Sequence, residues 1–325
     1  MSKSIFRAAT AALLALLCVQ FPAWSQAWPS RTLRIVIPFP PGGTSDILAR
    51  TLAHKLTDEW GQQVIAENRP GAAGNIASEF VARSKPDGYT LYINTVGTHA
   101  INPAIYPNLT FDPVRDFTLI TNLVNLPSLL IVHPSVPASS AQELIALAKS
   151  RPGALQYSSA GSGSQPHLTA EIFKKLGSLD LLHVPYKGAG PQLLALISGE
   201  VSLTFATAPA AVPLIKNKQA RAIAVTSAER VAALPEVPTL NEAAMPGYIA
   251  VGWNGLVGPA GIPAPIVEKI HSAVSKIYQQ PDMRERLIGL AAQPAICTPE
   301  EFAALVKSEI VKWSKAVKDS GAKLD

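Results

Sequence analysis

Short apolar runs alternate with longer amphipathic runs along most of this chain. Runs such as 33–37 predict buried strands, and segments such as 45–59, where apolar residues recur at helical spacing, predict helices. Their regular alternation predicts an α/β fold with largely parallel sheets. The predicted strands are 33–37, 64–67, 90–94, 129–133, 155–158, 181–184, 201–205, 221–226 and 251–257. The predicted helices are 45–59, 74–84, 140–150, 166–176, 191–198, 209–216, 263–279, 281–290 and 299–318.

Two interruptions divide this pattern into three blocks. The first lies at 122–127, and the second, at 242–251, contains Pro246 and Gly247. We therefore predict two lobes, each with a mostly parallel sheet flanked by helices. Lobe 1 is discontinuous, residues 28–124 plus 248–325, and lobe 2, residues 125–247, is inserted into it. Such a layout has two hinge crossings and leaves a cleft between the lobes.

The segment between the first strand and the first helix, residues 38–46, is the strongest candidate for a binding loop. We call it the first loop. Its prolines end the strand, and its glycines let the backbone approach a ligand without an intervening Cβ. The helix that follows presents free N–H groups at the carboxyl end of a strand, which suits a small anion. The predicted contacts in this loop are Phe39, Pro40, Gly42, Gly43, Thr44, Ser45 and Asp46.

Three further loops follow predicted strands and offer polar groups. The second loop, residues 157–167, matches the first in design, because it carries hydroxyl groups and bare amides but no charged side chain before its helix. The segment 184–191 adds a cation, and 94–99 adds hydroxyl groups and an imidazole. Taken alone, such segments are equally typical of solvated surface loops. The predicted contacts in these loops are Ser159, Ser162, Gly163, Ser164, His167, Lys187, Thr95 and His99.

Residues 1–27 have the pattern of a secretory signal peptide. Lys3 and Arg7 precede an apolar stretch, 8–21, that is too short to span a bilayer, and small residues follow, so we expect cleavage after Ser25 or Ala27. Removal of this segment leaves Cys297 as the only cysteine, so no intrachain disulfide is expected. The formal net charge of +5 includes Lys3 and Arg7. Without a basic run and interleaved aromatic residues, nucleic acid is not an expected partner.

The motifs of common enzyme classes do not occur in the sequence. It has no G-x-S-x-G, no H-E-x-x-H or paired-cysteine pattern, and neither of the glycine-rich nucleotide motifs. We therefore predict no cofactor, no metal and no catalysis. One alternative is a secreted hydrolase in which Ser162 pairs with His167 or His99.

A set of short segments, spread over essentially the whole chain, carries a family resemblance. These segments are 28–29, 35–43 with Asp46, 67–74, 86–91, 183–188, 234–239 and 258–261. Their order and sequence are similar to those of the Bug receptors, the TctC-type periplasmic solute-binding proteins of tripartite tricarboxylate transporters. The resemblance implies a two-lobed periplasmic-binding-protein fold that closes on a small ligand. In that family the ligand is commonly a carboxylate or carboxylated aromatic, sometimes an amide, held near the equivalents of 39–46 and 158–167.

The resemblance also implies a function for this chain. We expect an exported monomer in the periplasm that captures a small mono- or dicarboxylate, aromatic or not, for inner-membrane transporter subunits. A receptor that signals to a membrane sensor is a further alternative. One position departs from the family, because Ala206 stands where many relatives carry Asp. This departure argues against an amino-acid ligand and adds Ala206 to the predicted contacts, with Thr207 partly replacing the lost polarity.

Overall fold

The computed structural model describes residues 28–322 and forms two β-sheets flanked by helices. The predicted signal peptide lies outside the described residues. The first sheet contains β1 (Leu33–Ile37), β2 (Val64–Asn68), β3 (Thr90–Thr95), β4 (Phe117–Leu126), β10 (Gly252–Pro259) and β11 (Gln293–Pro294), in the order β11-β4-β10-β3-β1-β2. The second contains β5 (Ser128–Val132), β6 (Gln156–Ser159), β7 (Leu182–Pro185), β8 (Leu203–Thr207) and β9 (Arg221–Val225), in the order β7-β6-β8-β5-β9.

Every predicted helix overlaps a helix of the structure. The α-helices are α1 (Thr44–Trp60), α2 (Asn75–Ala82), α3 (Asn102–Ile105), α4 (Ala141–Ser150), α5 (Gln165–Gly177), α6 (Ala189–Ile197), α7 (Ala208–Lys216), α8 (Leu240–Ala243), α9 (Ala264–Gln279), α10 (Pro281–Gly289) and α11 (Pro299–Ser320). A 3₁₀ turn at Ala72–Gly74 precedes α2, and a π-helical turn at Gly97–Ile101 precedes α3. Within residues 28–322, every helix is too short or too polar to cross a bilayer.

Two chain crossings join the sheets side by side. β4 of the first sheet continues through Pro127 into β5 of the second. The chain returns at β10, where Gly252 pairs with Leu126 of β4. Just before β10, the amide of Ala250 donates to the carbonyl of Thr226, at 3.0 Å. The two crossings therefore form one paired hinge, as expected for a two-lobed fold.

Four of the six strands of the first sheet and four of the five strands of the second run in one direction, as predicted, but each sheet also contains antiparallel pairs. β1 is parallel to β2 and β3, but β10 is antiparallel to β3 and β4. In the second sheet β6 is parallel to β7 and β8, whereas β5 is antiparallel to β8 and β9. The reason lies in the hinge. The chain leaves the first lobe along β4 and returns to it along β10. Because β10 lies beside β4, the two strands run in opposite directions.

The sequence pattern does not predict β4, whose second half lies in the predicted interruption at 122–127. Its polar residues obscured the strand pattern, but Thr121 and Asn122 are buried and each donates a side-chain hydrogen bond. The Thr121 hydroxyl donates to the carbonyl of Cys297 at 2.8 Å, and the Asn122 amide donates to Asn125 at 3.0 Å. Since buried polar groups need such partners, the strand depends on contacts far away in sequence.

Apolar packing on both faces holds the first sheet in place. On one face, Ile35 of β1 packs in a cluster with Leu48 and Leu52 of α1, all nearly inaccessible to solvent. On the other face, Phe302 and Trp313 of α11 are fully buried. Each such side chain contributes about 1.5–3 kcal/mol on burial. This packing fixes the start of α1 at the end of β1, where the first loop lies.

Candidate functional site

A cavity of about 550 Å³ lies where loops of both sheets meet the hinge. Nine of the sixteen predicted contact residues line it, namely Phe39, Gly43, Thr44, Ser45, Asp46, Thr95, Ser162, Gly163 and Ser164. The wall also contains residues outside that set, namely Ala73, Val96, Gly97, Ile101, Asn102, Ile105, Tyr106, Leu126, Ala160, Gln165, Thr207, Gly252, Trp253 and Asn254. The first and second loops thus meet around one cavity.

The first loop delivers the start of α1 to this cavity. The N-cap residue, Gly43, has extended backbone angles (φ −80°, ψ 170°), and no side chain caps the helix. The Ser45 hydroxyl, which also lines the cavity, accepts a hydrogen bond of 2.8 Å from the Asn254 amide of the hinge strand. First-turn amides have no partner within their own helix. The loop therefore presents backbone donors to the cavity.

A network behind the first loop holds Asp46 ionised. Its carboxylate accepts hydrogen bonds from Arg50 (3.1 Å), the Gly42 amide (3.0 Å) and Asn68 (2.9 Å). Asn68 also donates to the Phe39 carbonyl at 3.0 Å. Burial opposes ionisation, but the hydrogen bonds and the Arg50 charge outweigh it and lower the pKa of the Asp46 carboxyl. Asp46 therefore ties the two ends of the loop together, and its charge is already neutralised.

The second loop is held from behind by imidazole rings. The Gly163 amide donates to Nδ1 of His167 at 3.0 Å, and the His167 ring stacks on that of His183 with centroids 3.9 Å apart. Nε2 of His183 lies 2.6 Å from the hydroxyl of Ser159. His167 and Ser159 do not line the cavity, contrary to our prediction. They sit behind the loop and shape it.

Three helices begin at the cavity without a side-chain cap, namely α1 at Gly43, α5 at Ser164 and α7 at Thr207. Among the described residues, five Ser or Thr residues occupy N-cap positions. Ser140, Thr239 and Thr298 accept a hydrogen bond from their own helices, but Ser164 and Thr207, which line the cavity, do not. The Ser164 hydroxyl is buried without a hydrogen-bond partner. Since such hydroxyls normally cap, the start of α5 presents free amides to the cavity. In α7, by contrast, the Ala208 amide already donates to the Pro127 carbonyl at 2.9 Å, and Pro209 has no amide hydrogen.

The remaining predicted contacts lie elsewhere. His99 is fully buried with its ring 4.6 Å from that of Phe117, and burial lowers its pKa to about 3. Lys187 is exposed, and Pro40 and Gly42 lie on the outer side of the first loop. Ala206 is 4% exposed within an apolar cluster of the second sheet. Because strand side chains alternate between faces, Ala206 points into the core and its neighbour Thr207 reaches the cavity.

Most of the wall that the sequence prediction missed is apolar. Val96 precedes the π-helical turn and Ile101 is its last residue, Ile105 and Tyr106 follow it, and Trp253 lies on the hinge strand β10. In a sequence these residues look like ordinary core. Segment 94–99 was selected from the sequence for its polar groups and not for these apolar residues. The π-helical turn is a further signal, since such turns often occur at functional sites, but it is visible only in the structure.

The wall of the cavity carries little net charge, so an anion would be held there by neutral groups. Asp46 is the one ionisable acidic or basic side chain of the wall within the described part of the chain, and Arg50 neutralises it. Among residues 28–322, no group of three or more His, Cys, Asp or Glu side chains is arranged to hold a metal ion. An anion in the cavity would therefore be held by helix amides and hydroxyl groups.

The geometry gives the hydrolase alternative little support. Ser162 lines the cavity, but Nδ1 of His167 already accepts the Gly163 amide. The ring of His99 is buried away from the cavity, with its Nδ1 3.1 Å from the hydroxyl of Thr98. A general base must lie within hydrogen-bond reach of the proton that it removes.

A cavity between two hinged α/β lobes, in whose wall the Asp46 carboxylate is neutralised by Arg50, is typical of a solute-binding receptor. The family model described as the tripartite tricarboxylate transporter family receptor, TctC, matches residues 48–322. This chain therefore belongs to the TctC family, and it is a TctC-type periplasmic solute-binding receptor.

Named relatives confirm the resemblance to Bug receptors. Protein BugT of Bordetella pertussis is 32% identical over 304 residues, 93% of each chain. The structure of R. palustris Rpa4515 with adipate is 38% identical, with a TM-score of 0.81, and the match covers 91% of this chain and 100% of that one. MatC (Rpa3494) from Rhodopseudomonas palustris with bound malate is 35% identical, with a TM-score of 0.75 and coverage of 89% and 100%.

Substitutions at positions 206 and 207 of β8 should show which side chain lies in the core and which one faces the cavity. We expect Ala206→Asp to lower the free energy of unfolding by about 3–5 kcal/mol, because it buries an unpaired charge. Thr207→Asp should leave stability nearly unchanged. Urea unfolding of both variants is the measurement. Equal stability of the Ala206→Asp variant and wild type would show that the side chain at 206 is not in the core.

The Asp46 network should contribute to stability in a pH-dependent way. Because the folded-state pKa lies below the unfolded value, the contribution is complete above that value and is lost as the pH falls through the folded pKa. We expect Asp46→Asn to lower the free energy of unfolding at pH 7 by about 1.5–3 kcal/mol. The variant should also show a shallower loss of stability in acid, measured by urea unfolding at pH 3–7.

Asp58→Asn is the matched control, since Asp58 lies on the same helix but is exposed. Its unfolding free energy should stay within about 0.5 kcal/mol of wild type. The role given to Asp46 is wrong if the two variants have the same stability at pH 7.

Proposed function

We propose that this receptor binds a small carboxylate in the cavity between its lobes. The observation that carries the proposal is the convergence of two uncapped helix starts, α1 of the first lobe and α5 of the second, on a wall whose one charged side chain among the described residues, Asp46, is neutralised. Each helix start carries a partial positive charge, and a carboxylate would satisfy its free amides. The buried hydroxyl of Ser164 supplies a further donor from the second lobe.

The proposed ligand has an apolar body between or beside its charged ends. Tyr106, Ile105, Val96 and Trp253 form a largely apolar wall beside the polar loops. Two related receptors support this class, because their structures contain adipate and malate, which are both dicarboxylates. We propose mono- and dicarboxylates, including aromatic ones, as the range of ligands to test.

The proposal also covers the contact residues, the cellular location and the partner of the protein. The ligand would contact the predicted residues that line the cavity, and lobes 28–124 plus 248–325 and 125–247 would close on it. The chain would act without catalysis, as a monomer in the periplasm after loss of residues 1–27, and deliver its ligand to inner-membrane transporter subunits. Membership of a transporter-receptor family supports this assignment.

Ligand binding should raise the stability of the purified protein. A carboxylate present at 100 times its dissociation constant should add about 2.7 kcal/mol to the free energy of unfolding. Thermal unfolding is measured with adipate, malate, benzoate and phthalate, and with the corresponding amides and amino acids as comparisons. An unchanged melting temperature with every acid of a broad panel would contradict the proposed ligand class.

Gly43→Val should weaken binding strongly while the fold persists. A Cβ at Gly43 would meet no atom within 4 Å, and its φ of −80° suits any residue. The added methyl groups would occupy the anion position, so we expect at least a 30-fold weaker affinity for the best acid by calorimetry. The loss of stability should be about 1 kcal/mol or less.

Gly190→Val is the control for Gly43→Val. Gly190 is exposed near the start of α6, does not line the cavity, and offers equally open space for a Cβ. Its affinity should equal that of wild type. Unchanged affinity of the Gly43→Val variant would remove the first loop from the binding site.

A further inference from the structure

The conformation of the second loop depends on one acceptor atom. The Gly163 amide donates to Nδ1 of His167 at 3.0 Å. A ring nitrogen can accept only while it carries no proton, so this contact requires His167 to be unprotonated at Nδ1. Protonation would place an N–H against an N–H, and the loop would have to move.

Gly163 lies between the start of α5 and a residue of the opposite lobe. It lines the cavity next to Ser164, the uncapped start of α5. It also touches the opposite lobe, since a Cβ at Gly163 would lie 2.5 Å from Cδ1 of Ile105. A displaced Gly163 would therefore change both the donors at α5 and the contact between the lobes.

The surroundings of His167 provide a partner for its protonated form. On its own helix, Oε1 of Glu171 lies 4.0 Å from Nε2 of His167 and also accepts hydrogen bonds from Lys174 and from Tyr157 of β6. From β7, the ring of His183 lies parallel to that of His167, at an interplanar angle of 5°. A proton on His167 would be attracted by Glu171 and repelled by a proton on His183.

We propose that His167 is a positioning residue that makes ligand binding depend on pH, because the second loop keeps its binding conformation only while Nδ1 of His167 is unprotonated. The inference rests on the proposed function of the cavity. Affinity falls as the pH is lowered through the range in which imidazoles titrate. Where only the unprotonated form binds, the apparent dissociation constant rises up to tenfold for each further pH unit.

The test compares two substitutions that differ in the acceptor. In His167→Asn the side-chain oxygen stands about where Nδ1 stood, and it accepts a hydrogen bond without titrating. In His167→Leu the acceptor is lost. The dissociation constant for adipate is measured by calorimetry from pH 8 to pH 5. The ratio of wild type to His167→Asn cancels the titration of adipate itself.

We expect the two proteins to bind adipate equally at pH 8 and wild type to bind at least tenfold more weakly than His167→Asn at pH 5. His167→Leu should bind weakly at every pH, and the exposed His54→Asn variant should follow wild type. Parallel profiles of wild type and His167→Asn would overturn the proposal. So would a pH dependence that persists in His167→Asn but disappears in His183→Gln, because His183 would then be the titrating group.

A readout without ligand separates this inference from the proposed function. We expect hydrogen exchange of the Gly163 amide, followed by NMR and compared with His167→Asn, to be less protected in wild type as the pH falls. If adipate and every other acid of the panel fail to bind at any pH but this difference is present, the ligand class is wrong and the role of His167 in positioning the loop stands. If adipate binds and the amide shows no such difference, the role of His167 is wrong and the ligand class stands.

Discussion

Free amides at a buried helix start need an acceptor, and two helices of this protein, α1 and α5, turn such starts toward one cavity from opposite lobes. Elsewhere in the described chain, Ser140, Thr239 and Thr298 cap their own helices. At the cavity, Ser164 and Thr207 occupy the same position without doing so. An anion that enters supplies the missing acceptor to both lobes at once. We therefore propose that closure of the lobes and recognition of charge follow from the same unmet hydrogen bonds.

The hinge joins the two lobes beside the cavity. The two crossings are paired through Leu126 and Gly252, so the lobes are joined along one narrow line. Trp253, next to Gly252, lines the cavity while its indole N–H donates to Glu309 of α11 at 3.2 Å. The hinge strand is thus anchored in the first lobe where it borders the cavity. A ligand that touches both lobes stabilises the state in which their loops face each other.

Much of this could be predicted from the sequence, and the failures have physical causes. The first loop was recognisable because prolines and glycines mark a strand–turn–helix junction whatever surrounds it. β4 was not, because the partners that allow Thr121 and Asn122 to be buried lie far away in sequence or become neighbours only after folding. His167 and Ala206 lie in segments that border the cavity, as predicted, but their side chains point away from it. The direction of a side chain depends on packing, which the sequence does not show. Ile105 and Trp253 carry no signal that separates a cavity wall from a core.

A crystal structure of the protein with adipate tests the central claim most directly. We expect one carboxylate within about 2.7–3.2 Å of the first-turn amides of α1, with the Ser164 hydroxyl or the start of α5 donating to the ligand from the other lobe. Trp253 should lie against its methylene groups. A carboxylate bound instead by Lys187, or by any cation outside the cavity, would contradict the account.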